Sequence, residues 1–126
     1  NLQICVFMSM AGDEELRNAF REQLAKVSEA KQRIAKGEEI KQLALKNEKS
    51  SRLAAKQLEG IGEWPVYRGV GRLFILTQQK SEIERHLKEA GISAEKAATI
   101  DKQKEFLQRS CEEGERNLRE LVESRR

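Results

Sequence analysis

The sequence predicts a mostly α protein: a long antiparallel two-helix coiled coil with a single β-hairpin between the helices. Three observations carry this expectation. Charged residues make up 36% of the 126-residue chain, yet 24 basic and 21 acidic side chains nearly cancel and are interleaved along it. That balance is unlike the high net charge of disordered segments. The aromatic content of 5% and mean hydropathy of −0.71 leave too few large hydrophobes for a dense globular core, since these supply most of the burial free energy. Finally, helix-compatible spacing on both flanks stops at one stretch, VYRGVGRLFIL at 66–76, where β-branched and aromatic residues alternate with glycines. The length fits one domain, with an apolar N-terminal arm over 1–12 and the coiled coil over 13–126, its hairpin at about 64–78.

The arm, NLQICVFMSM followed by Ala11 and Gly12, lacks a basic n-region and a small-residue cleavage site, so a secretory signal is not expected. Met8 and Met10 each precede a polar segment that would make a natural start. Two readings stay open: residues upstream of such a start, or an apolar arm with a use of its own.

From about Asp13 to Leu58 the chain has no proline and one glycine, Gly37. Asp13 can cap the start, with Glu14 and Glu15 favourable in the first turn. A heptad frame with a at Phe20, Val27, Ile34 and Lys41 places Leu16, Gln23, Ala30, Gly37 and Ala44 at d, with Leu24 and Leu45 widening the stripe. Leu53, Leu58 and Ile61 are expected to carry the apolar face onward after a shift in phase. Gly60-Ile61-Gly62 ends the helix, since glycine accepts the left-handed conformation of a C-terminal cap. Pro65 confirms the break and biases Trp64 toward extended backbone.

The hairpin follows. Val66-Tyr67-Arg68 and Leu73–Thr77 read as strands, with Gly69-Val70-Gly71-Arg72 as the turn. Leu73-Phe74-Ile75-Leu76 is apolar without alternation, so both faces of that strand require burial. A lone two-stranded hairpin is marginally stable, and its open edges invite pairing with other chains. The remaining helical chain supplies no strand. The hairpin is therefore expected to be an oligomerisation device.

The second helix is expected from about Ser81, a good N-cap with Glu84 completing a capping box. One frame has a at Ile83, Ala90, Ala97, Lys104, Cys111, Leu118 and Arg125, and d at His86, Ser93, Ile100, Leu107, Gly114 and Leu121. Gly91-Ile92-Ser93 marks an expected local break or flexible point. Helices of about 45 residues extend about 65–70 Å. Joined by a tight connection they run antiparallel, which puts Leu16 and Phe20 near Leu118 and Leu121 at the end far from the hairpin.

Other function classes find little support. No Lys/Arg run exceeds Arg125–Arg126, and a net charge of +3 is explained by solvated coiled-coil faces rather than a nucleic-acid surface. Cys5 and Cys111 show neither metal-ligand spacing nor a disulfide framework, which fits a reducing intracellular compartment; Cys111 reads as a small buried hydrophobe. No apolar run reaches membrane-spanning length. His86, the single histidine, stands at a d position without catalytic partners. Gly69-Val70-Gly71 runs into Arg72-Leu73-Phe74 instead of completing a dinucleotide fingerprint. With no nucleophile–base pair, carboxylate dyad or phosphate loop, the chain is expected not to be an enzyme and to take no cofactor or metal.

Helix, glycine-rich hairpin and helix in a chain of this length resemble a β-type prefoldin subunit. The resemblance rests on Tyr67, Gly69, Val70, Gly71, Arg72 and Phe74 in YRGVGRLFIL, on Leu16, Ala19, Phe20 and Arg21 in ELRNAFREQL, and on the terminal RNLRELVESRR. It runs from about Glu14 to Arg126, and within the β type it is strongest to the subunit 1 branch. One hairpin rather than two distinguishes the β type from the α type.

The resemblance implies a hetero-hexamer in which two α-type and four β-type subunits pool their hairpins into a β-barrel platform. Coiled coils then hold unfolded polypeptides at their tips, actin and tubulin among them, and deliver them without ATP to a group II chaperonin in the cytoplasm. Carried onto this sequence, Tyr67, Gly69, Val70, Gly71, Arg72, Leu73, Phe74, Ile75 and Leu76 would be the assembly hairpin. Leu16, Ala19, Phe20, Leu118, Leu121 and Val122 would be the client-binding tip, which Val6, Phe7, Met8 and Met10 of the arm would extend. No nucleic-acid or membrane partner is implied. The competing reading is a structural coiled-coil adaptor that binds folded partner helices, but such a protein has no need of a strand that is apolar on both faces.

Overall fold

The computed structural model describes residues 14–124. Its elements are α1 (Glu14–Gly60), β1 (Val66–Val70), β2 (Leu73–Thr77) and α2 (Gln79–Glu123). Two long helices joined by one antiparallel hairpin is the predicted fold. The N-terminal arm, Asp13 as a cap and Arg125–Arg126 lie outside the described residues.

Contacts divide the chain into two units. One combines the described residues up to Glu38 with those from Lys102 onward; the other is Glu39–Asp101. In each, a segment of α1 packs on a segment of α2. The first unit buries Phe20, Val27 and Ala30 with Cys111. The Cys111 thiol lies 3.8 Å from the Val27 carbonyl oxygen. Gly114 is buried at the same level. A Cβ added there would lie 2.6 Å from a Val27 methyl, so the backbone of α2 approaches α1 closely at this point.

The second unit buries Ala44, Ala55, Ala90, Ala97 and Ile100. All but Ala55 occupy a or d positions of the expected frames, and Ala55 occupies the a position that an unshifted frame of α1 gives. The seam is rich in alanine, so each layer contributes less than the ~1.5–3 kcal/mol of a buried Leu or Ile. Two core positions hold lysines. Lys41 reaches Asp101 at 2.8 Å and Lys104 reaches Glu38 at 3.1 Å, each pair lying within one unit. A long aliphatic stem lets lysine sit at a seam position and still present its ammonium to a carboxylate on the facing helix.

Four local expectations are corrected. The heptad of α1 does not shift phase: Glu48, Ser51, Ala55 and Leu58 continue the frame and are buried or half-buried. Leu53 and Ile61 are exposed. Apolar character misled here because polar residues occupy the true core positions. Second, α2 runs through Gly91-Ile92-Ser93 without a break, since neighbouring turns and the packing of Ala90 and Ala97 hold it.

Third, α2 begins two residues early. The Glu82 amide donates to the Gln78 carbonyl at 3.1 Å, which makes Gln78 the N-cap and leaves Ser81 inside the helix. Gln79 then faces the end of α1, where its side-chain amide donates to the Leu58 carbonyl, one of the acceptors that a helix terminus leaves open. Fourth, Gly69 and Val70 belong to β1, and the loop is Gly71–Arg72 alone. Gly71 has φ +60° and Arg72 has no positive φ, the pattern of a type II′ turn with glycine first. At the end of α1 the expected glycine cap is present, with Gly62 at φ +73°.

Candidate assembly hairpin and coiled-coil tip

The strand register pairs Val66 with Thr77, Tyr67 with Leu76, Arg68 with Ile75, Gly69 with Phe74 and Val70 with Leu73. Directly paired residues share a face. Tyr67, Gly69, Phe74 and Leu76 therefore form one face, and Val66, Arg68, Val70, Leu73, Ile75 and Thr77 form the other. The Phe74 ring carbon Cε1 lies 3.6 Å from where a Gly69 Cβ would stand, so the ring covers the backbone of its cross-strand glycine. That contact explains how a glycine is accommodated inside β1.

Every residue proposed for the assembly hairpin is exposed in the single chain. Leu73, Phe74, Ile75 and Leu76 are 69, 78, 46 and 64% exposed. Apolar side chains on both faces meet solvent, and among the described residues each strand has one hydrogen-bonded neighbour. Trp64, which the sequence reading did not single out, adds to this surface at 74% exposure.

Beneath the hairpin lies an open cleft of about 400 Å³ whose lining includes Ala54, Leu58, Ile61, Val66, Tyr67 and His86. At its rim stands Glu82, buried to 5% exposure. Arg85 donates to Glu82 Oε2 from Nε at 3.0 Å and from Nη2 at 2.9 Å. Its third nitrogen, Nη1, donates to Glu89 at 2.8 Å. The other Glu82 oxygen faces Arg68 Nε of β1 at 3.8 Å. Burial by itself raises the Glu82 carboxyl. The hydrogen bonds and charge of Arg85, with the charges of Arg68 and His86, outweigh it and hold the group below its ordinary value. Arg85 is in turn raised, chiefly by its hydrogen bonds to Glu82. Sequence reading missed this cluster. Glu82 and Arg85 stand at i, i+3 spacing, but their partner on β1 is set by the tertiary fold.

The predicted tip residues come together in the first unit, where α1 begins and α2 ends. Phe20 is buried in the seam. Leu16, Ala19, Leu118, Leu121 and Val122 are half-buried. A shallow hollow of about 340 Å³ opens beside Ala19, Gln23 and Leu121.

A family model described as prefoldin subunit matches residues 21–125. The chain belongs to the prefoldin subunit family. Curated relatives agree in name and in extent. The chain is 44% identical over 115 residues to a probable prefoldin subunit 1 of Caenorhabditis briggsae, a match covering 90% of this chain and 98% of the relative. It is 38% identical over 121 residues to prefoldin subunit 1 of Tetraodon nigroviridis, with 94 and 98% covered. Against prefoldin subunit 1 of Homo sapiens it is 32% identical over 120 residues, again covering 94 and 98%. These matches span the hairpin and both helices of this prefoldin chain, so the family assignment and the fold rest on the same residues. No helix among the described residues is long and apolar enough to cross a membrane.

Proposed function

We propose that this prefoldin-family chain is a β-type subunit of a cytoplasmic hetero-hexamer that holds unfolded polypeptides and delivers them to a group II chaperonin. It does so without ATP and without a chemical step of its own. One observation carries the reading: Leu73–Leu76, apolar on both faces of a two-stranded hairpin, is exposed in the single chain. Exposed apolar strands with open edges are stabilised by strands from other chains. The α-type and further β-type subunits are the expected source, consistent with relatives named prefoldin subunit 1.

Clients of the actin and tubulin type are held at the tips, where Leu16, Ala19, Leu118, Leu121 and Val122 offer half-covered apolar surface. Phe20 supports that surface from within the seam. Each contact is weak, and several tips acting together raise the effective concentration of contacts without preventing release. The test is light scattering of a denatured actin-type client diluted into the reconstituted hexamer, without nucleotide. Aggregation is suppressed by the intact complex and less by one carrying Leu121→Ser with Val122→Ser. Equal suppression by both complexes removes these residues from the holding surface. No suppression by either contradicts client holding.

A further inference from the structure

Resting on the assembly reading above, we infer that Glu82 is a positioning residue for assembly, tying β1 to the start of α2 and fixing how the hairpin meets neighbouring subunits. Among the described residues Glu82 is the one buried charged or polar residue. A buried carboxylate is costly unless its oxygens are engaged. One oxygen is engaged by Arg85 of its own helix, and the other faces Arg68 at the middle of β1. Arg68–Glu82 is the one ion pair between the hairpin and a helix among the described residues.

Apolar packing does little to fix the hairpin. Only Val66 and Thr77 at its root are half-buried, its side chains from Tyr67 to Leu76 are exposed, and an open cleft lies between it and Ala54 and Leu58 of α1 and the following Ile61. The connections at its root are Trp64-Pro65 and Gln78, which are neither helix nor strand. Without the Glu82 link, the hairpin would pivot at these connections. A pivoting hairpin loses orientational freedom when it enters a β platform, and that loss weakens association. Arg85 acts as the second half of the device: its two hydrogen bonds to Glu82 Oε2 hold the carboxylate in place, so that Oε1 faces Arg68 of the strand.

The experiment uses the full chain, alone and mixed with the α-type and remaining β-type subunits. Glu82→Gln and Arg68→Gln are compared with wild type, with their double variant, and with Arg68→Lys. Arg68→Gln leaves the Glu82–Arg85 pair intact, so it reports on the link even if Glu82→Gln perturbs folding. In the chain alone, amide order parameters over 66–77 fall in both Gln variants while those of the helices hold. In the mixture, the dissociation constant for entering the complex rises about fivefold, as for loss of a partly exposed ion pair. The double variant is no worse than either single one, and Arg68→Lys stays near wild type.

Unchanged order parameters and affinities in both Gln variants overturn the role of Glu82, as do effects that add in the double variant. A wild-type chain that enters no complex overturns the assembly reading itself. The two failures are thus distinguishable.

Discussion

Two glycines on α2 separate what looks alike in the sequence. At Gly114 an added Cβ would meet a Val27 methyl at 2.6 Å, whereas at Gly91 nothing lies within 4 Å. Val27 is buried and β-branched, so its methyl has little rotamer freedom to retreat. Replacing a mid-helix glycine by alanine gains about 1 kcal/mol of helix propensity, and overpacking a tight seam costs about 1–3 kcal/mol. Gly91→Ala therefore stabilises by about 1 kcal/mol, while Gly114→Ala is net destabilising; urea unfolding of the two variants distinguishes the signs. Glu82 makes a pH-dependent contribution at the same scale. Its folded-state pKa lies below the ordinary 4.5. The stability it adds is complete above that value and is lost as pH falls through the lower folded one. Measured as the difference in urea midpoint between wild type and Glu82→Gln, the contribution is present at neutral pH and shrinks in acid below about 4.5. None of this was legible from residue identity, because Val27 meets Gly114, and Arg68 meets Glu82, only through the fold.

At the scale of elements, periodicity was the most legible feature. Phe20, Val27, Ala30, Ala44, Ala90, Ala97, Ile100 and Cys111 are buried where the heptad frames place them. Lys41 and Lys104 hold core positions by pairing across the seam. The frame was lost after Ala44 because Glu48 and Ser51 fill core positions while Leu53 lies outside. Leu53→Ser therefore changes stability by no more than about 0.5 kcal/mol, as at an exposed site. A seam that followed Leu53 would lose about 2–5 kcal/mol on such a truncation, so thermal unfolding of this variant fixes the phase of α1. Strand β2 was read correctly because four apolar residues in succession have no other economical explanation. The turn was read too wide: two glycines flanking Val70 fit either a four-residue or a two-residue loop, and the cover that Phe74 gives Gly69 decides for the shorter. The start of α2 was misplaced for a similar reason. Ser81 is the better cap by residue type, but the Gln78 carbonyl accepts the first bond of α2 and Gln79 joins α2 to the end of α1.

For the whole molecule, the hairpin is where the single chain is least complete. The helices bury their seams within the chain, and the hairpin exposes its apolar residues on both faces. The exposed apolar strand was legible because a run without alternation is a local property, visible in Leu73–Leu76. The proposed tip was less so, because a packed seam end and an exposed apolar surface use the same residue types, and Phe20 proves to be buried. The most direct test is native mass of the purified chain mixed with an α-type prefoldin subunit and the remaining β-type subunits, for wild type and Phe74→Asp. One copy of the wild-type chain incorporated into a hexamer, with incorporation lost in Phe74→Asp, is the predicted result. A wild-type chain that stays a soluble monomer or homodimer beside those partners would contradict it.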